Sequence, residues 1–196
     1  VWEACRFISR QQSRGHDVSI SINLSAYSFE QPEFSARVIA LIKDCAVPPN
    51  SLIFEVTETA VIRNMGQALA FLTRLRLLGF GLSIDDYGTG YSSVKQLSQI
   101  PFTELKMDRS LIEGVASKSH LQVIFESTLL MCDKLDINLV AEGVESAADW
   151  DYLQQIFATR QRISRQQARA IEMAPAHQGQ GWRVAAGQQQ YQLANG

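Results

Sequence analysis

Hydrophobic positions along the chain change period repeatedly, from the helical 3.6 to the strand-like 2 and back. Trp2 to Gln12 reads as the end of a helix, with Trp2, Cys5 and Ile8 as its apolar positions. Val18 to Leu24 alternates apolar and small polar residues, as a strand does. Pro32 opens a helix that carries Phe34, Val38, Ile39, Leu41 and Ile42, and Pro48-Pro49-Asn50 closes that region. Leu52 to Val56 is a strand, and Met65 to Leu78 a helix with Leu69, Leu72, Leu75 and Leu78 as its stripe. Gly79-Phe80-Gly81 turns into an apolar strand that ends at Asp85. A short helix is expected over Ser92 to Leu97, stopped near Pro101. Phe102 to Met107 is a strand, Leu121 to Leu135 a helix, Ile137 to Ala141 a strand and Ala147 to Ile156 a helix.

Strands thus alternate with helices five times, which requires parallel pairing with crossover helices. An open doubly wound sheet and a closed barrel both fit that order. A dinucleotide-binding sheet would carry a glycine fingerprint at its first strand-to-helix turn, and Asn23-Leu24-Ser25 is not one. Polar residues recur instead at the ends of all five strands, which favours the mouth of a barrel.

The most informative of these ends is Asp85-Asp86-Tyr87-Gly88-Thr89-Gly90-Tyr91-Ser92-Ser93. Adjacent carboxylates repel, and one pKa rises unless a cation holds both ionised. An acidic turn is the plain alternative. The other ends are Ser21-Ile22-Asn23-Leu24-Ser25-Ala26, Ile53-Phe54-Glu55-Val56-Thr57-Glu58-Thr59, Leu105-Lys106-Met107-Asp108-Arg109 and Leu139-Val140-Ala141-Glu142-Gly143-Val144-Glu145. Asn23, Glu55, Asp85 and Asp86 are hard oxygen donors at successive strand ends; on neighbouring parallel strands they converge on one cavity, where Asp86 could bridge two cations about 4 Å apart. Lys106 lies between apolar neighbours, where a lysine is paired or catalytic; a structural Lys106–Asp108 pair on one strand face is the alternative.

In their order and spacing, from about Trp2 to about Ile156, these motifs resemble the EAL domain, the bacterial family that hydrolyses cyclic di-GMP to linear pGpG. The resemblance implies a modified TIM barrel, here incomplete, with about five parallel strand–helix units. It implies a two-metal site for Mg²⁺ or Mn²⁺ with Asn23, Glu55, Asp85 and Asp86 as metal ligands. Lys106 matches the lysine that orients or activates water. Glu142 matches a residue on the second metal or a general base. Glu58 matches the anchor of the loop after Asp86. Asp108 and Glu145 match further acids near the substrate. Where the family usually has Phe, this chain has Tyr87.

The namesake Glu-Ala-Leu segment, a metal-ligating glutamate among it, is expected upstream of Val1, together with a substrate-binding arginine. About two strand–helix units are therefore expected to precede this chain, within a longer parent carrying sensory or GGDEF domains. As a stand-alone piece the open barrel would have low activity and would associate through its edges, as in a homodimer. The alternative function is a degenerate, non-catalytic EAL module that only binds cyclic di-GMP or signals. An unrelated α/β-barrel hydrolase is a third reading.

Charge divides the chain. Residues 1–156 hold 13 Lys plus Arg against 19 Asp plus Glu, whereas residues 157–196 hold five Arg against one Glu and nine Gln. The acidic body argues against duplex nucleic acid as a partner. The chain is accordingly read as a partial EAL domain over 1–156 and a Gln/Arg-rich tail over 157–196 that contributes little core. The family's final Gln-Gly-Tyr strand is absent near position 162. One codon choice for Gln161 to Arg169, read one base later, gives Ser-Gly-Tyr-Leu-Gly-Asn-Lys-Pro, so a frameshift near Phe157 is one account of the tail and a natural Gln-rich extension the other. Cys5, Cys45 and Cys132 are far apart and read as reduced thiols, no run of about 18 apolar residues exists, and the expected location is cytoplasmic.

Overall fold

The computed structural model describes residues 1–30, 32–45, 47–90, 98–163, 182–185 and 188–192. The elements are α1 (Trp2–Gln12), β1 (Val18–Asn23), α2 (Tyr27–Glu30), α3 (Pro32–Cys45), β2 (Leu52–Thr57), α4 (Glu58–Arg63), α5 (Met65–Leu77), β3 (Gly81–Tyr87), β4 (Glu104–Met107), α6 (Arg109–Ile112), α7 (Ser119–Leu135), β5 (Asn138–Ala141), α8 (Ala147–Ile163), β6 (Trp182–Ala185) and β7 (Gln188–Gln192).

The sheet runs β5-β4-β3-β2-β1-β7-β6. From β1 to β5 each strand pairs in parallel with the next strand in sequence. Strands β1 to β5 follow one another in sequence order with no reversal among them, unlike the strands of a doubly wound sheet, and form the curled half of a barrel of TIM type. Right-handed crossovers in one direction put the helices on one face. Val18, Ile20, Leu52, Phe54, Val56, Leu82, Ile84, Leu105, Met107, Leu139 and Ala141 supply that face and join one apolar cluster with Ile8, Leu72, Leu75, Phe125 and Leu153 from the helices. Phe54 and Phe80 meet edge to face at 5.4 Å.

The alternate residues point to the other face, the barrel interior, and that face is polar. Ser19, Ser21, Glu55, Ser83, Glu104 and Lys106 are all buried. Ser19 and Ser21, and likewise Glu104 and Lys106, stand two positions apart on their strands, the strand period. Ser83 pairs in register with Glu104, and its hydroxyl donates to Glu104 Oε1 at 2.8 Å. A buried polar layer of this kind costs free energy unless it is satisfied, which marks the interior as a place where function overrides stability.

Two helical stripes differ from their expected positions. Trp2 is 51 % exposed, because the buried positions of α1 are Ala4, Cys5 and Ile8. In α5 the buried stripe is Ala68, Phe71, Leu72 and Leu75, while Leu78 is exposed. Residues spaced by three drift backward around a helix, and three such steps carry Leu78 to the side opposite Leu69. The helix expected over Ser92 to Leu97 lies outside the described residues.

At the other end of the chain, α8 passes through position 156, and Phe157 packs edge to face on Phe125 at 5.5 Å. β7 then pairs in parallel with β1, and β6 pairs antiparallel with β7. The side chains of Ile163, Ile171 and Trp182, on which the expectation of a coreless tail turns, lie outside the described residues.

Asp149 locks the entry to α8. Ser146 and Asp149 form a reciprocal cap, with Asp149 N–H donating to Ser146 Oγ at 3.0 Å and Ser146 Oγ donating to Asp149 Oδ2 at 2.7 Å. The same carboxylate accepts from Gly114 N–H at 3.1 Å and Ala116 N–H at 2.9 Å, tying down the loop after α6. Burial pushes the Asp149 carboxyl up, but the bonds from Ala116, Ser146 and Gly114 outweigh it and hold the group below its ordinary value. A depressed folded pKa contributes stability that is present above the unfolded value and is lost as pH falls through the folded one. Asp149→Asn is expected to cost about 2 kcal/mol at pH 7 and progressively less in acid. Urea denaturation at both pH values checks this, and a cost that does not shrink in acid would count against an ionised cap.

Candidate active site

The mouth of the half-barrel is built from the C-terminal ends of the strands. Asn23 stands opposite Glu55 in the β1–β2 register, at the exposed rim of β1. Glu55 is fully buried inside β2. Asp85 and Asp86 belong to β3, and Lys106 to β4, where it is 1 % exposed. Glu142 follows β5, its N–H donating to the Met107 carbonyl at 3.2 Å.

Lys106 is where these elements meet. Its Nζ lies 2.6 Å from Asp85 Oδ1, 2.9 Å from Glu142 Oε1 and 3.4 Å from Glu55 Oε1. Three carboxylates from β2, β3 and the end of β5 thus converge on one buried ammonium. Removing a lysine from water is tolerated only with such compensation.

A bulge explains how two adjacent aspartates both reach this mouth. Ile84 pairs with Leu105 and Tyr87 with Met107, so Asp85 and Asp86 together stand opposite the single residue Lys106. Asp86 takes a left-handed φ of 56°, a backbone conformation Asp tolerates better than most residues. In a regular strand the two side chains would point to opposite faces; the inserted residue re-aims one of them. Burial raises the Asp86 pKa, and the charges of Asp85, Asp108 and Glu142 raise it further, while Lys106 lowers it. These groups therefore share one electrostatic neighbourhood.

Glu58 opens α4 immediately after β2, behind the Thr57 cap whose hydroxyl accepts from Ala60 N–H. Its buried Oε2 accepts from Gly88 N–H at 3.0 Å and Gly90 N–H at 3.2 Å, tethering the loop after Asp86. Both glycines are required. Gly88 has φ +99°, and a Cβ there would collide with the Leu111 side chain; at Gly90 a Cβ would sit 2.8 Å from the Glu58 carboxyl. Gly88→Ala is expected to lower stability by about 2 kcal/mol and to weaken turnover by loosening the tether. Thermal unfolding and kinetics of the variant check this, and an unchanged midpoint would show that the loop is not held this way.

Asp108 caps α6, accepting from Ser110 N–H at 2.9 Å. Glu145 pairs with Arg109, Oε1 to Nη1 at 2.7 Å and Oε2 to Nη2 at 3.0 Å, a two-point contact at the rim. Arg109 also covers Gly143, where a Cβ would meet its stem at 2.7 Å. Sequence reasoning missed Arg109, and it missed the buried Ser83–Glu104 layer under Lys106. The second had a signal: Glu104 and Lys106 alternate with Leu105 and Met107 at the strand period.

The donor set fits a hard cation. Asn23, Glu55, Asp85, Asp86 and Glu142 offer oxygen to a cation, and the charges of Asp85, Asp108 and Glu142 add to burial in raising the Asp86 pKa. Among the described residues, no three acidic, His or Cys groups stand in metal-ligating geometry. The carboxylates of Glu55, Asp85 and Glu142 are turned onto Lys106 instead. No helix among the described residues is long and apolar enough to cross a membrane.

Residues 1–160 match the family model described as the EAL domain. The bifunctional diguanylate cyclase/cyclic di-GMP phosphodiesterase MucR of Pseudomonas aeruginosa is 38 % identical over 152 residues, 77 % of this chain and 22 % of that protein. The cyclic di-GMP phosphodiesterase RocR of the same organism is 33 % identical over 132 residues, 67 % of this chain and 34 % of that protein. The chain thus spans about a fifth to a third of the length of these curated relatives. Among solved structures, the MucR phosphodiesterase in its cyclic di-GMP complex superposes with a TM-score of 0.73 at 36 % identity, covering 79 % of this chain and 63 % of that one. The Klebsiella pneumoniae BlrP1 calcium/cyclic di-GMP complex gives 0.65 at 32 % identity, covering 70 % and 35 %. A half-barrel with acidic strand ends around a buried lysine, matched by one family model over most of its length, belongs to the EAL domain family.

Proposed function

We propose that this chain carries the catalytic half-barrel of a cyclic di-GMP phosphodiesterase, which opens one phosphodiester of the ring to give linear pGpG. The carrying observation is the convergence of Glu55, Asp85 and Glu142 on Lys106 at the C-terminal mouth. The names of MucR and RocR supply the substrate class. Asn23, Glu55, Asp85 and Asp86 are the residues that would hold divalent cations, Mg²⁺ or Mn²⁺. Bound there, the metals would supply Lewis-acid activation of the phosphoryl group and of the attacking water.

The chain's own residues do the rest. Lys106 donates hydrogen bonds toward the attacking water and the charge that grows on the phosphoryl oxygens. Glu142 accepts the proton of the water, a role supported by its carboxylate lying 2.9 Å from that ammonium. The leaving ribose oxygen then takes a proton, so that water is added across one P–O bond. Glu58 fixes the loop after Asp86, and Asp108 and Glu145 order the rim. The MucR name, which joins a cyclase to a phosphodiesterase, supports a parent with a GGDEF partner domain. A homodimer paired through this domain belongs to the same reading.

Chromatography of cyclic di-GMP incubated with the purified protein and Mn²⁺ tests the function. Time-dependent pGpG is the expected result. Tight binding of cyclic di-GMP without pGpG at any Mn²⁺ concentration would favour the non-catalytic module.

A further inference from the structure

The Lys106 ammonium has three N–H donors, and three carboxylates from three different strand ends lie within 3.4 Å of it. Two of those carboxylates, Glu55 and Asp85, are the residues expected to ligate metal. Glu55 Oε1 and Asp85 Oδ1 both face Nζ, so a metal ion ligated by these two oxygens would compete with the ammonium for them. A hard divalent ion sits about 2.0–2.2 Å from its carboxylate oxygens, so an ion seated on Asp85 Oδ1, itself 2.6 Å from Nζ, would lie within about 5 Å of Nζ. Two cations at that separation repel strongly in a buried site. The left-handed bulge at Asp86 holds the aspartates in place, so the long, flexible lysine is the part free to give way.

We propose that Lys106 is the resident counter-cation of the metal-free site and that divalent metal loads by displacing its ammonium from Glu55 and Asp85. The inference rests on the metal-dependent phosphodiesterase reading and deepens it. Lys106 keeps the buried carboxylates compensated before metal arrives, which lets the polar interior fold. Loading then frees the same ammonium to face the phosphodiester. The lysine is thereby made available only when the metals are present, and metal affinity is set lower than the bare carboxylates would give.

The proposal predicts that removing a catalytic lysine tightens metal binding. Free Mn²⁺, followed by electron paramagnetic resonance during titration of the protein, reads this without any turnover. Lys106→Met and Lys106→Gln are expected to bind Mn²⁺ at least tenfold more tightly than the wild type. Lys134→Met removes the same charge from an exposed helical position and is expected to change affinity by less than twofold. If the Lys106 variants are unfolded in chelator, circular dichroism during the titration is the second measurement. Refolding at Mn²⁺ concentrations below those that saturate the wild type supports displacement; no refolding at any concentration overturns it. Wild-type and Lys106-variant affinities within twofold of each other would overturn the proposal and leave the metal-site reading intact. Absence of Mn²⁺ binding in every protein would overturn both.

Discussion

Asp85→Asn is expected to lower the rate of cyclic di-GMP opening about a thousandfold, equivalent to ~4 kcal/mol of transition-state stabilisation. The substitution preserves shape and leaves one carbonyl oxygen to accept the 2.6 Å bond from Lys106, so packing changes little. What disappears is a full charge at the bulge. That charge helps hold cations beside Asp86 and orients the lysine that faces the phosphoryl group. Glu113→Gln, at the exposed rim, removes a charge of the same sign and is expected to leave turnover within about twofold. Initial rates of pGpG formation at saturating Mn²⁺, with the thermal midpoints of both proteins, separate chemistry from folding. A tenfold loss or less for Asp85→Asn would reduce Asp85 to a structural partner of Lys106.

The barrel class was legible because its signal is repeated. Five apolar runs each end in a polar residue, and each is followed by a helical stripe. Asn23, Glu55, Asp85, Lys106 and Glu142 could therefore be placed at one mouth before any coordinates, and the structure brings Glu55, Asp85, Lys106 and Glu142 into contact. What the pattern could not carry is backbone detail. Period-2 reasoning ends β3 at Asp85, whereas the strand runs on to Tyr87 through a bulge, because an inserted residue leaves no trace in composition. Leu69-Leu72-Leu75-Leu78 looked like one stripe, yet spacing by three does not track a 3.6 period. Asp108 reads as a site acid from its strand-end position, and its carboxylate also starts a helix by accepting from Ser110 N–H, while its charge raises the Asp86 pKa. Arg109 was passed over since an arginine after a strand is ordinarily a solvated charge; only the fold brings Glu145 to it across 36 positions.

Lys106→Met is expected to destabilise the metal-free protein by about 3 kcal/mol, the largest stability effect of any single change at the mouth. Methionine fits the volume of the stem and keeps its apolar contacts, so the loss comes from charge. Glu55, fully buried, and Asp85 and Glu142, both less than a quarter exposed, are left facing each other with no compensating cation. A buried pair broken on one side costs more than a pair replaced on both sides. Adding Glu55→Gln to Lys106→Met is therefore expected to recover about half of the loss, although each substitution alone is destabilising. Urea titrations of the wild type, both single variants and the double variant, all in chelator, give the coupling energy directly. Additive costs would mean that Glu55 and Lys106 do not compensate one another, and that the buried ammonium is held by Asp85 and Glu142 alone.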